Sequence, residues 1–570
     1  MKRKLLILSL LVLSAAITAQ EGNIDRLKKN ISDYGQAEIR FKNPGKKDLA
    51  FISGKISVYN ANRDYAWALV SEADTAYMRI FPYSYVLIDP PDSKAVLSAL
   101  SAEEAMNWES YPTWQQYDTI MHKLAEDYPL ICRLDTIGES INGKQVLVLK
   151  ISDNVQTDEA EPEVFYSSTI HGDELAGYVL LLRLAHTLLS NYAPGRLEAQ
   201  LIDSLEIWIN PLANPDGTYY GSDTINIPRR FNASGEDLNR NFPDPTVSGT
   251  VPEKENVDMI NFMKGRNFVL SANIHSGAEV LNFPWDRGEV LWDGRVHADS
   301  SWFFNICRDY VDTVHLYSTS GYLNDLFSAG SYPGVTRGDD WYEVNGSRQD
   351  YVNYERQGRE VTFELSAAKQ SPASDLPLLW DYNHRSLLRY LSNAFYGIHG
   401  RVIDDDTEEA LRAKVYIPGH DKDSSHVYSD SLSAYFVRLL DMGTWNLEVS
   451  AEGYQSKSIS GIEVSDFQQR FLEVRLRKDT SDIPEVQPGK LLLWPVPAAG
   501  SINIRVPEGF AAVARLDIIS SEGRLVYSKQ HNLEGDYLRD IPLNGLASGL
   551  YIVKLRNSSG KTLKESFVVR

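Results

Sequence analysis

Apolar and polar positions follow different rhythms along this chain, and the changes of rhythm divide it. Between residues 106 and 395 strand-like runs alternate with helical ones. The pattern predicts helices over Trp114–Tyr128 and Leu175–Leu189 and strands at Gln145–Ile151, Val164–Ile170, Leu205–Asn210 and Phe268–Ile274. That alternation defines an α/β domain, a mixed sheet flanked by helices, in which ligands gather at the carboxyl ends of strands. Residues 20–105 hold short β-like runs, Asp48–Ser53 and Tyr83–Asp89, among polar helical stretches, as in a small α+β domain or a pro-segment. Residues 396–478 break into short strands at Ala413–Ile417, Ala434–Leu439 and Thr444–Val449, the pattern of a small β-sandwich. Asp479–Gly489, charged and with two prolines, reads as a linker. A second set of alternating strands fills 490–570 and ends in Gly549–Leu555 and Glu565–Arg570.

Charge and leader narrow the function. The 570 residues carry a formal net charge of -20, so no basic surplus is available to neutralise phosphates and a general nucleic-acid binder is excluded. Met1–Ala19 has a basic start at Lys2, Arg3 and Lys4, an apolar core over Leu5–Leu13 and small residues at Ala16 and Ala19. It reads as a cleaved secretory signal peptide rather than a membrane anchor, because the apolar run is short for a span. No later segment is long and apolar enough to cross a membrane. Cys132 and Cys307 are too few for a disulfide framework and are expected to be buried and free.

The chemistry concentrates in Phe165-Tyr-Ser-Ser-Thr-Ile-His-Gly-Asp-Glu-Leu-Ala-Gly177. His171 and Glu174 stand three residues apart between a strand and a helix, where both side chains can meet at one point. Imidazole plus carboxylate is the start of a catalytic zinc site, which needs a third ligand and an open position. His275, at the tip of the apolar run Phe268–Ile274, is the candidate third ligand. Most of the eleven histidines have ordinary surface or core roles, as His186 does inside its apolar helix. Asp237 is a possible carboxylate for a ligand imidazole. The segment Arg229–Asp244 gathers three arginines and several amides in a loop, either a solvated loop or a clamp for a carboxylate. Glu364, amid the apolar neighbours of Glu360–Ser366, is either an edge-strand glutamate or a general base.

These motifs together resemble the zinc carboxypeptidases of the carboxypeptidase A superfamily, in particular the subfamily of carboxypeptidases E, N, D and M. The subfamily's Asp-Leu-Asn-Arg-Asn-Phe-Pro-Asp string stands intact at 237–244, and Asn210–Gly217, Val269–His275 and Gly334–Tyr342 are also similar. The resemblance covers about 108–395 and continues into 396–478, which is similar to the subfamily's transthyretin-like domain. It implies one Zn2+ held by His171, Glu174 and His275, with Asp237 orienting His171. It implies Glu364 as general base, Arg230 at the scissile carbonyl, Asn239 and Arg240 on the terminal carboxylate, and Tyr342 closing over the substrate.

In the subfamily an aspartate and a glutamine make the pocket for Lys or Arg side chains, and those positions fall on Asp286 and Gln349. Arg287 departs from the subfamily's acidic tendency there. Residues 490–570 resemble the sorting domain of type IX secretion cargo in Bacteroidetes through Ser521–Val526 and Leu546–Val553, although Leu491–Ala498 lacks the usual asparagine. The expected protein is therefore a secreted or surface metallocarboxypeptidase that meets peptide C-termini and the secretion machinery. A non-catalytic binder of C-terminal peptides and a zinc amidase acting on cell-wall peptides are the alternatives.

Overall fold

The computed structural model describes residues 24–89, 98–245, 249–288, 296–319, 321–327, 331–479, 490–507, 510, 513–533 and 536–570. The Met1–Ala19 leader and all of the linker but Asp479 lie outside the described residues. The chain forms two compact units, Met1–Arg477 and Lys478–Arg570.

The first unit opens with β1 (Ala37–Lys42), α1 (Lys46–Ser53), β2 (Ser57–Ala61), β3 (Tyr65–Val70) and β4 (Tyr85–Ile88). The strands form an antiparallel sheet in the order β2-β3-β1-β4. Asp48–Ser53, read from the sequence as a strand, is helical. Its run is too short for periodicity to separate the two. Leu49, Ala50 and Ile52 are buried while Phe51 is exposed, a helical face rather than strand alternation.

The α/β layer follows. Its strands are β5 (Cys132–Glu139), β6 (Gln145–Ile151), β7 (Glu163–Ser168), β8 (Glu206–Asn210), β9 (Phe268–His275), β10 (Ala278–Phe283), β11 (Val335–Arg337) and β12 (Glu360–Ser366). Among the described residues they make one mixed sheet in the order β11-β10-β12-β9-β7-β8-β6-β5. The parallel centre β12-β9-β7-β8 is almost wholly buried, as expected of a sheet covered on both faces. Helices α2 (Trp114–Asp127), α3 (Ala176–Ser190), α4 (Lys254–Lys264), α5 (Ser300–His315), α6 (Arg348–Glu355) and α7 (Leu376–Ser392) accompany it. Helix α3 lies tight on the sheet: a Cβ at Gly177 would stand 2.6 Å from Ser168 Cβ and 2.7 Å from Ile274 Cγ2. Cys132 and Cys307 are buried and unpaired.

Residues from Gly397 to Leu476 form a three-stranded and a four-stranded sheet around Ile398, Val402, Val415, Phe436, Leu447 and Val474. This sandwich is joined to the α/β layer through Asp299, which accepts from Arg438 Nη2 at 2.8 Å and pairs with Arg359 Nη2 at 2.7 Å and His420 Nε2 at 2.8 Å. Among the described residues of the second unit, strands from Leu492–Ala499 to Thr562–Val569 form a seven-stranded sheet around Ile502, Leu516, Ile518, Val553 and Phe567. No helix among the described residues is long and apolar enough to cross a membrane.

Candidate active site

The strand ends bring the predicted ligands together. Past β7 the backbone turns at Thr169, whose φ of 58° ends the strand. Gly172 then passes against Gly217 and Thr218, where a Cβ would meet backbone atoms at 2.4 Å. Asn214 ties this turn to the arginine loop, its Nδ2 donating to Ile170 O at 3.2 Å and Arg230 O at 3.3 Å. His275 is the last residue of β9.

His171 Nδ1 lies 3.0 Å from Glu174 Oε2, His275 Nδ1 lies 2.7 Å from the same oxygen, and the two Nδ1 atoms are 3.1 Å apart. All three side chains are buried. His171 Nε2 is 3.0 Å from Asp237 Oδ1, which assigns its ring proton to Nε2 and leaves the Nδ1 lone pair facing inward. His275 Nε2 lies 2.8 Å from Asn273 Nδ2 and 3.5 Å from Asn239 Nδ2, while Asn273 Oδ1 is buried without a partner among the described residues. Exchanging the ends of that amide gives His275 Nε2–H an acceptor and frees its Nδ1 as well. Two imidazole lone pairs and a carboxylate converging in a buried place are the donor set of a divalent cation, and they fit zinc. Burial opposes the charge of Glu174, but the two imidazoles outweigh it and hold the carboxyl well below its usual range.

The other predicted residues surround this point. Glu364 is paired with His275 across β12 and β9, and its buried Oε2 has no hydrogen-bond partner among the described residues. Burial and the Glu174 charge push its carboxyl well above the usual range. Arg230 donates through Nη1 to Glu174 at 2.9 Å and through Nε to Asp237 at 2.8 Å. Asn239 Oδ1 accepts from Arg348 N at 2.9 Å, so its amide NH2 turns toward the cleft. Arg240, Tyr342 and Asp286 line the same cleft. Gln349 Nε2 donates to Asp286 Oδ1 at 2.8 Å.

Sequence reasoning missed Asn273, although it lies two residues before His275 on the same face of the strand. It also missed a set of contacts from the first domain. Ser57 Oγ accepts from Arg230 Nε at 2.6 Å and donates to Asp237 Oδ2 at 2.5 Å. Gln36 Oε1 accepts from Arg230 N at 2.9 Å, and Arg240 Nη2 donates to Val58 O at 2.6 Å. Tyr342 and Val344 are built into that domain's apolar core, and Tyr59 lines the cleft. The space left beside the metal-ligand candidates is about 30 Å³.

The sheet and this constellation define a metallopeptidase-like site. A profile described as zinc carboxypeptidase matches residues 117–386, and one described as secretion system C-terminal sorting domain matches 492–570. The chain belongs to the zinc carboxypeptidase family. It is 31% identical to the carboxypeptidase N catalytic chain of Rattus norvegicus over 410 residues, covering 66% of this chain and 89% of that one. It is also 31% identical to carboxypeptidase D of Homo sapiens over 374 residues, and the match spans 64% of this chain and 27% of that protein's length. Among solved structures, carboxypeptidase A from Helicoverpa armigera is similar over 63% of this chain and 97% of its own, at 16% identity and a TM-score of 0.47.

Proposed function

We propose that the chain is an exported zinc carboxypeptidase that removes one C-terminal residue from peptides or proteins, with a preference for Lys or Arg. The observation that carries this reading is the convergence of His171 Nδ1, Glu174 Oε2 and His275 Nδ1 within 3.1 Å, beside Glu364 on the adjoining strand.

His171, Glu174 and His275 hold the zinc, and Asp237 fixes the His171 tautomer. When bound, the metal supplies Lewis-acid polarisation of the scissile carbonyl and of the attacking water. Glu364 takes a proton from that water and passes it to the leaving amine. A base must be ionised; burial opposes this in Glu364, and the charges of Arg230, Lys369 and Arg240 favour it. Arg230 donates to the oxygen that becomes negative as the carbonyl is attacked. Asn239 and Arg240 bind the terminal carboxylate, a planar anion suited to a guanidinium fork. Tyr342 covers the bound residue. Asp286, oriented by Gln349, meets a substrate ammonium or guanidinium, since a buried cation needs a partner. The leader and the sorting domain take the chain through the secretion machinery to the cell surface or the medium.

The first domain, residues 20–105, acts as a pro-segment that covers the site. Its β2 backbone and Ser57 engage Arg240, Arg230 and Asp237, and its core holds Tyr342. An open groove of about 570 Å³ lined by Lys55, Asp74, Asp237 and Arg240 runs along the seam between this domain and the α/β layer.

The test is release of a single C-terminal residue by the chain and by a Glu364→Gln variant that still binds zinc. Near wild-type turnover by that variant would overturn the mechanism.

A further inference from the structure

The pocket assigned to a basic side chain contains a contradiction. Asp286 is followed directly by Arg287, a cation one residue from the carboxylate that is to receive a cation. A guanidinium folded back onto Asp286 would neutralise the pocket before any substrate arrived.

The surrounding contacts keep the two side chains apart. Asp350, in the first turn of α6, accepts from Asp286 N through Oδ1 at 2.9 Å and from Arg287 N through Oδ2 at 3.0 Å. One carboxylate thus grips two consecutive amides. Ser347 Oγ accepts from Asp350 N at 3.2 Å and caps the helix that presents it. On the other side Gly338 lies against Asp286, where an added Cβ would stand 2.1 Å from Oδ1. The two side chains leave this clamped segment toward different partners. Asp286 meets Gln349 and the cleft. Arg287 Nη1 donates to Asp244 Oδ2 at 2.7 Å, and its side chain is 13% exposed. Asp244 closes the Asn-Phe-Pro-Asp string at 241–244.

We infer that Asp350 is a positioning residue for substrate selection: by holding the two amides it aims Asp286 into the pocket and delivers Arg287 to Asp244. The inference rests on the proposed preference for C-terminal Lys or Arg. Burial and the neighbouring Asp286 push the Asp350 carboxyl well above its usual range while the two amides work the other way.

The experiment measures kcat and KM on two peptides that differ only in a C-terminal Arg or Leu, after removal of the first domain if that is needed for activity. Wild-type protein without an Arg preference would remove the specificity reading itself. Given that preference, Asp350→Asn, which cannot accept from both amides, is expected to lower the Arg-to-Leu ratio of kcat/KM at least about tenfold, chiefly through KM for the Arg peptide. Asp350→Glu is expected to recover part of the ratio. An independent arm avoids dependence on folding of the Asp350 variants. Asp244→Asn releases Arg287 and is expected to lower the same ratio, and adding Arg287→Ala to it is expected to restore the ratio. A ratio within twofold of wild type in Asp350→Asn, or no restoration in the Asp244→Asn/Arg287→Ala double variant, overturns the inference while leaving the basic preference standing.

Discussion

Glu364 and His275 are partners in register on the adjacent parallel strands β12 and β9. The proposed base and the proposed third ligand therefore share a rigid sheet rather than two independent loops. Sites built on such elements hold their geometry closely, and small displacements are costly.

This pairing makes Glu364→Asp an informative change. It keeps the charge but withdraws the carboxylate by one methylene. Turnover is expected to fall about 10²-fold, the cost of a displacement near 1 Å. Zinc content should stay unchanged, and steady-state kinetics with metal analysis checks both.

Asp237 is expected to matter for the metal more than for the fold. It accepts from His171 and Arg230, and Asp237→Asn weakens its grip on the His171 proton. Zinc affinity should drop about 10- to 100-fold, as for other carboxylate partners of a metal-bound imidazole. Competition with a coloured chelator measures it.

Selectivity should depend on pH. Burial lifts the Asp286 carboxyl to about 6. Its charged form prevails above that value, so preference for C-terminal Arg over Leu should rise as pH increases through about 6. Asp286→Asn should abolish this dependence, which pH profiles of kcat/KM for the two peptides will show.

Cleaving the chain between Ile88 and Trp114 and removing the first domain should raise kcat/KM. The freed domain, added back, should inhibit in competition with substrate, because it engages Arg240 and Tyr342. Equal activity before and after removal would mean that the domain is a permanent wall of the site.

At the sandwich seam, Asp299→Ala strips the shared partner from Arg438 and Arg359, both buried. Removing one member of a buried charge network costs about 3–5 kcal/mol. Thermal unfolding of the first unit should shift down by several degrees, with no change in zinc affinity.

Much of the candidate site could be read from local pattern. His171 and Glu174 are neighbours in sequence, and the apolar run that carries His275 marks a central strand whose tip faces ligands. The position of Glu364 beside His275 depends on strand order, which no local pattern contains. Ser57 and Gln36 reach Arg230 from more than 170 residues away in sequence, and nothing in their surroundings signals it. The helix Lys46–Ser53 was illegible for another reason: a short apolar run fits either period until its neighbours decide which face is buried. From the sequence Arg287 could either weaken the proposed basic pocket or point to solvent, and its contact with Asp244 lies outside any local pattern.

The most direct measurement uses peptides identical except for a C-terminal Arg, Lys, Phe, Leu or Glu, followed by mass spectrometry, with the first domain present and removed. The expected result is loss of one residue from the Arg and Lys peptides, abolished by a zinc chelator and restored by added zinc. Release that ignores the chelator, or no release from any peptide even after the first domain is gone, would contradict a zinc carboxypeptidase.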